Sequence, residues 1–202
     1  MKRPMFHVAA VVPVKALHRC KSRLSQSLDA HARARLVYDA LRHVVHALRA
    51  AGVVHAVSVV SRDAQVRAWA ETMGIEFLQE HGRGLNAALR QAQQRYRHSD
   101  ALLVVPADLA ALSPYDVQHL VQRAASCTSP CVVIAPDRHE RGTNALLLKP
   151  PSIIPFAFGR NSAQRHAALA RAHGAALLWH RSESLALDLD LPEDLALYEE
   201  QW

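Results

Sequence analysis

Residues 102–108 read LLVVPAD, an apolar run closed by Pro106 that delivers one carboxylate, Asp108. A strand buried in a parallel sheet reads as a continuous apolar run rather than an alternating one, and such strands present ligand-binding residues at their carboxyl ends. The run is therefore expected to form a central strand with Asp108 at its functional end. Two other segments complement it. Residues 12–24, VPVKALHRCKSRL, carry cations, and residues 185–190, LALDLD, carry two more carboxylates. Together they suggest a metal and phosphate site.

Outward from this run, strands and helices alternate. Residues 7–12 form an opening strand ending at Pro13. In residues 30–51, Leu36, Val37, Ala40, Leu41, Val44, Val45 and Leu48 recur at helical spacing, with Asp29 as N-cap and Gly52 as the stop. A strand over 53–60, a helix over 64–73 stopped by Gly74 and a short strand over 75–78 follow. A helix over 85–96 leads into the central strand. Beyond it, Ser113-Pro114-Tyr115-Asp116 is a strong helix start, with a serine cap and proline at the first helical position. Strands over 131–135 and 144–148 flank a polar, surface-exposed loop. A helix over 162–173, a strand over 176–179 and a final helix opened by Pro192 complete the pattern. The rhythm predicts an α/β fold with a mainly parallel sheet and helices on both faces.

The 202 residues suffice for one substantial core, and no Gly/Ser-rich or Pro-rich linker divides them, so one domain over 1–202 is expected. Apolar runs are strand-sized, well short of the ~20 residues that span a bilayer. Three cysteines, Cys20, Cys127 and Cys131, supply no disulfide framework and point to a reducing compartment, with the cytoplasm as default. Cys127 and Cys131 lack a second Cys/His pair at zinc-like spacing and read as core or loop thiols. A formal charge of +6 fits an anionic partner. At 5% aromatic residues and with no concentrated basic run, a small phosphorylated substrate is favoured over nucleic acid. Most of the 13 histidines are expected on the solvated surface.

A divalent ion needs oxygen ligands, and magnesium takes one or two carboxylates plus substrate phosphate oxygens. Asp108, Asp188 and Asp190 are the candidates. In an extended segment Asp188 and Asp190 project to one face, with leucines on the other; the competing possibility is a solvated edge strand with incidental acids. Asp108 could equally be a turn residue or N-cap. Lys15, Arg19, Lys21 and Arg23 follow the first strand on the ligand side of the sheet, where lysine serves as a point charge for phosphate. The Gly82-Arg83-Gly84-Leu85-Asn86 loop offers amide groups at a helix start to an anion or a nucleotide's sugar. Residues 141–144 (RGTN) and 158–162 (FGRNS) set small polar residues at turns, either to grip a carboxylate or as ordinary turn chemistry.

Taken in order, VPVKALHRCKSRLSQSL, VVSRD, GLNAAL, VVPADL, APDRHERGTNALLL, FAFGRNS and LALDLDLPEDL resemble the CofC/FbiD family over nearly the whole chain. That family looks like guanylyltransferases of the GT-A-like, Rossmann-type nucleotidyltransferase fold that make the guanylylated phospho-acid precursor of the deazaflavin coenzyme F-420. The resemblance implies that Asp108, Asp188 and Asp190 bind Mg2+, and that Lys15, Lys21 and Arg23 hold the GTP phosphates and, with Asp108, serve catalysis. Pro13, Ser61, Gly84 and Asn86 would lie along the nucleotide. Thr143, Asn144, Gly159 and Ser162 would face the phospho-acid. The chain departs from the commoner pattern at PADLAAL, where proline and leucine often follow PADL, and at HERGTN, where glycine often follows the histidine.

The reaction implied is transfer of GMP from GTP to 2-phospho-L-lactate, phosphoenolpyruvate or 3-phospho-D-glycerate, with release of pyrophosphate. Its product would pass to the next F-420 pathway enzyme. A molybdenum cofactor guanylyltransferase or sugar-phosphate nucleotidyltransferase is the enzyme alternative, against which stands the absence of glycine from VPVKALHRCKSRL. A non-catalytic nucleotide- or RNA-binding protein is the alternative from another class. No membrane partner is expected, and oligomeric state is open, a homodimer included.

Overall fold

The computed structural model describes residues 6–15 and 28–188, together with Glu193, Asp194, Ala196 and Tyr198. Its elements are β1 (Val8–Pro13), α1 (Ala30–Ala50), β2 (Ala56–Ser61), α2 (Ala64–Thr72), β3 (Glu76–Gln79), α3 (Leu85–Arg95), β4 (Ala101–Val104), α4 (Pro114–Ser126), β5 (Cys131–Pro136), β6 (Thr143–Lys149), α5 (Ser162–Ala172), β7 (Ala176–Trp179) and α6 (Glu183–Ala186). The strands form one seven-stranded sheet in the order β3-β2-β1-β4-β6-β5-β7. All pairings are parallel except those of β6, which runs against both β4 and β5.

The apolar run at the centre is explained by what covers it. Leu103 packs with Ala10, Val12 and Leu147 beneath Leu41, Val44 and Leu48 of α1, Val66 of α2 and Leu120 of α4. Its neighbours Leu102 and Val104 point the other way, to Ala9, Val11 and Leu146 beneath Leu89 and Ala92 of α3 and Ala163 and Ala167 of α5. Successive residues of a strand face opposite sides, so a strand covered on both faces has no polar position left. Helices on both faces of a mainly parallel mixed sheet are as expected. No helix among the described residues is long and apolar enough to cross a membrane.

The helix starts follow the local sequence. Asp29 accepts the Ala32 N–H at 2.7 Å at the head of α1. Ser113 and Asp116 form a capping box on α4, each side chain taking the other's backbone N–H, with Pro114 in the first turn. Asp116 also accepts from the Ser184 hydroxyl, which fastens α4 to α6.

Some details differ from expectation. β2 begins at Ala56 rather than at residue 53. β4 ends at Val104, so Asp108 stands four residues farther on, in a turn. Leu185 and Ala186 are not extended: Ser182 caps a helical turn there by accepting the Leu185 N–H at 3.2 Å, and extended backbone resumes only at Leu187. Most described histidines lie on the surface, as expected, while His166 and His180 are buried. Cys131 is buried, Cys127 half-buried, and both are free thiols. Cys20, Lys21, Arg23, Asp190 and Pro192 lie outside the described residues.

Two buried groups should make the fold acid-labile in separate windows. Burial, and then the charge of Arg165, lowers His166 from 6.5 to about 4. The unfolded chain takes up that proton first, so stability present above pH 6.5 is lost as pH falls toward 4, about 3 kcal/mol in all. Burial raises the pKa of Asp116, but the His180 imidazole, the Ser184 and Ser182 hydroxyls and the Ser113 N–H pull it down to about 2. Of these, Ser113 and Ser184 donate hydrogen bonds, whereas His180 Nε2, 3.7 Å from Asp116 Oδ1, stands beyond hydrogen-bond reach. The Asp116 contribution is present above pH 3.8 and lost toward 2. In urea titrations across pH, His166→Gln should flatten the upper window and Asp116→Asn the lower; slopes unchanged in either variant would refute the assignment.

Candidate functional site

The strand order reverses between β1 and β4. The chain steps from β1 outward to β2 and β3, then returns through α3 to place β4 on the other side of β1. At such a switch point the loops leaving the two strands diverge and open a crevice at the carboxyl edge. Lys15 occupies one lip, two residues past the end of β1, exposed to solvent and anchored by the Val14 N–H, which donates to Val60 O at 2.9 Å. Asp108 occupies the other lip, half-buried between Ala107 and the fully buried Leu109. Its loop is fastened to α1: Ala110 packs on Ala40, and His43 Nε2 lies 2.8 Å from Leu112 O.

Because β6 is antiparallel to β4, its first residues stand at this same edge. Asn144 is buried there, and its Nδ2 donates to Leu185 O at 2.8 Å and to Ala186 O at 3.3 Å. The Arg138 N–H also donates to Ala186 O, at 3.1 Å, while the Arg138 guanidinium pairs with Asp194 at 2.8 Å. These bonds hold the end of α6 against the sheet and so set where the chain continues to Asp188, which is half-buried. Asp108 and Asp188 offer the hard oxygen donors that suit magnesium. Among the described residues no group of three or more His, Cys, Asp or Glu could hold a metal ion; the third carboxylate of the expected set, Asp190, is outside them.

The next part of the edge is built from the start of β6, the start of α5 and the 156–159 loop. Thr143 Oγ1 and His166 Nδ1 are 3.1 Å apart, both buried, and His166 Nε2 accepts the Ala157 N–H at 3.0 Å. Gly159 has φ +124°, a conformation that disfavours any side chain. Its carbonyl accepts the Ser162 N–H at 3.1 Å, and the Ala163 N–H donates to Arg141 O at 3.1 Å, joining the α5 start to the β5–β6 hairpin. Within that hairpin the Asp137 carboxylate accepts the N–H groups of His139, Arg141 and Gly142. Asn86, near the start of α3, donates to Phe158 O at 3.1 Å and accepts the Phe158 N–H at 2.9 Å. Gly84 caps that helix at φ +87°.

The structure thus places Pro13, Gly84, Asn86, Thr143, Asn144 and Ser162 at strand ends and helix starts, and Lys15, Asp108, Gly159 and Asp188 in the segments that adjoin them. The side chains of Asn86 and Asn144 are engaged in bracing other segments. Ser61, at the end of β2, is fully buried, and its Oγ accepts the Asp63 N–H at 3.1 Å within the turn to α2. Lys21, Arg23 and Asp190 belong to the undescribed residues. His166 and Arg138 were not singled out by the sequence. For His166 the signal was its place in the stripe Ala163, His166, Ala167, Ala170, a helical spacing that marks the covered face of α5. A groove of about 560 Å3 between α4 and β7, lined by His119, Arg123, Leu178 and His180 among others, contains none of these residues.

Residues 8–198 match the family described as "Guanylyl transferase CofC like". The chain is 45% identical over 194 residues to the phosphoenolpyruvate guanylyltransferase of Rubrobacter xylanophilus, covering 95% of this chain and 93% of that protein. It is 43% identical over 188 residues to the protein of the same name from Sphaerobacter thermophilus, covering 92% and 89%. Among solved structures, the fold is similar to a putative nucleotide-diphospho-sugar transferase from Desulfovibrio desulfuricans, at a TM-score of 0.76, 15% identity and 95% and 85% coverage. It is also similar to a CMP:2-keto-3-deoxy-manno-octonic acid synthetase complexed with CTP, at a TM-score of 0.67, 12% identity and 96% and 99% coverage. The family match and these relatives show that the chain is a nucleotidyltransferase and belongs to the CofC-like guanylyltransferase family.

Proposed function

We propose that the protein transfers GMP from GTP to the phosphate of a small phospho-carboxylic acid, with phosphoenolpyruvate the first choice and 2-phospho-L-lactate and 3-phospho-D-glycerate the alternatives, and that it serves coenzyme F-420 biosynthesis. The observation that carries this reading is the meeting, at one sheet edge, of two kinds of site. The β1/β4 crevice, with Lys15 and Asp108, suits a nucleoside triphosphate. The Thr143, Gly159 and Ser162 turn suits a small carboxylate. The name borne by the relatives at 45% and 43% identity favours phosphoenolpyruvate.

In this reaction a phosphate oxygen of the acceptor attacks the α-phosphorus of GTP. A new P–O bond forms, the bond from the α-phosphorus to the oxygen bridging to the β-phosphate breaks, and pyrophosphate departs with that electron pair. A phosphate monoester with a second pKa near ~6 is mostly dianionic at neutral pH, so no side chain has to remove a proton. The obstacle is the approach of two polyanions. Lys15, with Lys21 and Arg23, would bind the triphosphate and offset that repulsion. Asp108, Asp188 and Asp190 would hold magnesium, which supplies charge neutralisation on the triphosphate. Asn144 and Arg138, by bracing the end of α6, would keep Asp188 aimed at the crevice.

Pyrophosphate release from purified protein with GTP and magnesium, measured against the three phospho-acids in parallel, should appear with phosphoenolpyruvate and not with ATP in place of GTP. Release with none of the three would refute the acceptor class. Asp188→Asn should lower turnover on the order of 100-fold or more while leaving the thermal midpoint within a few degrees; turnover equal to the parent would remove Asp188 from the metal set. Asn144→Ala should cost ~10-fold to 100-fold in activity, partly recovered at high magnesium, as for loss of a residue that supports a metal ligand. A loss indifferent to magnesium would place Asn144 elsewhere in the mechanism.

A further inference from the structure

A histidine in the middle of a helix's covered face usually fills space. His166 does more, because both of its ring nitrogens are committed and the two commitments have opposite sense. Nε2 lies 3.0 Å from the Ala157 N–H. A backbone amide can only donate, so Nε2 must present its lone pair. A neutral imidazole then carries its one proton on Nδ1. Nδ1 faces Thr143 Oγ1 at 3.1 Å. A hydroxyl both donates and accepts; facing an N–H, it accepts, and its own hydrogen must turn elsewhere.

We propose that His166 is a positioning residue for the acceptor pocket: locked by the Ala157 amide as the Nδ1–H tautomer, it donates to Thr143 Oγ1 and so makes the Thr143 hydroxyl a donor for an anionic substrate group. This inference rests on the acceptor-pocket role proposed above for Thr143. The groups around the ring fit the task. The Phe158 ring meets the imidazole edge-on at 4.9 Å between centroids and sets its plane. The Phe158 backbone is itself clamped by the Asn86 amide. Arg165, on the exposed side of α5, is the neighbouring charge, and with burial it keeps the ring neutral near pH 7. The opposite tautomer would set an N–H against the Ala157 N–H and leave Thr143 facing a lone pair. The hydroxyl would then spend its hydrogen on the histidine and turn oxygen lone pairs toward the carboxylate, which would repel it.

Two substitutions separate the roles of the two nitrogens. An asparagine amide reaches about as far as Nδ1 and a glutamine amide about as far as Nε2. His166→Asn therefore keeps a donor to Thr143 and loses the Ala157 bond, whereas His166→Gln keeps an acceptor for Ala157 and loses the donor. The expected result is a rise in KM for the phospho-acid on the order of tenfold in His166→Gln, with KM for GTP unchanged, and a much smaller rise in His166→Asn. In a Thr143→Val background His166→Gln should add nothing further, since both changes remove the same donor. A purely structural histidine would instead give equal losses in both variants, additive with Thr143→Val, and that result would overturn the proposal. Nitrogen NMR of the histidine-labelled protein reads the tautomer directly: a pyrrole-type Nδ1 and a pyridine-type Nε2 for His166 are expected, and the reverse assignment or a charged ring at neutral pH overturns the proposal without any assay. If Thr143→Val leaves KM for every phospho-acid unchanged, the acceptor-pocket reading of Thr143 fails and the substrate half of this proposal with it, while the nitrogen spectrum still decides the tautomer.

Discussion

One reversed strand decides how this molecule can work. If β6 ran parallel to its neighbours, its first residues would lie at the opposite edge of the sheet from the β1 and β4 loops. Running antiparallel, with Val104 opposite Leu146, it brings Thr143 and Asn144 to the carboxyl edge beside the loop that carries Asp108. The β5–β6 hairpin that permits this is drawn together by Asp137, whose carboxylate takes three backbone N–H groups across the loop. The approach is tight: a side chain at Gly142 would place its first carbon 2.6 Å from Asp137 Oδ2.

From that constraint follows a division of labour between residues that would meet a substrate and residues that brace them. Asn86 and Asn144 carry amides, which donate and accept without charge, and both are spent on backbone groups far away in sequence. Asn86 joins the start of α3 to the 156–159 loop. Asn144 joins the sheet to the segment leading to Asp188. Hydrogen bonds sheltered from water, as the Asn144 bond to Leu185 is fully and the Asn86 bonds are in part, are costly to break, because each leaves an unsatisfied group behind. They hold the pieces of the edge in register without adding charge, which would suit a site that has to manage the two polyanions of the proposed reaction.

Most of the fold was legible in the sequence for a local reason: a strand buried on both faces must be apolar throughout, and LLVV is. Ser113-Pro114-Tyr115-Asp116 was legible because a capping box is made within one turn. The acidic segment was misread at its start for the same kind of reason in reverse. Leucines alternating with other residues look extended, but Ser182 and the bonds to Ala186 and Leu185 from Arg138 and Asn144 favour a helical turn. His166 was missed because its meaning lies in partners at Ala157 and Thr143, which no spacing rule connects. Of the residues expected along the site, Pro13, Asn86, Thr143, Asn144 and Ser162 fall at strand ends and helix starts, the positions that turn chemistry and apolar periodicity identify best.

The proposed acceptor side would also bear on selectivity. Phospho-acids of this size differ by a methyl, a double bond or a hydroxyl, and apolar fit alone separates such compounds by only ~1 to 3 kcal/mol. All of them share a carboxylate, so a donor committed to that group would define the class rather than the member. In the proposed arrangement Thr143, with His166 behind it, would be such a donor: a buried pair whose hydrogen-bond direction follows from the Ala157 amide. A charged residue at the same place would hold a carboxylate more strongly, but it would also attract the triphosphate into the acceptor's position. In the proposed reaction a neutral donor of fixed direction would leave GTP to the cations of the first loop, and the choice among acids to the residues that surround the Thr143 hydroxyl.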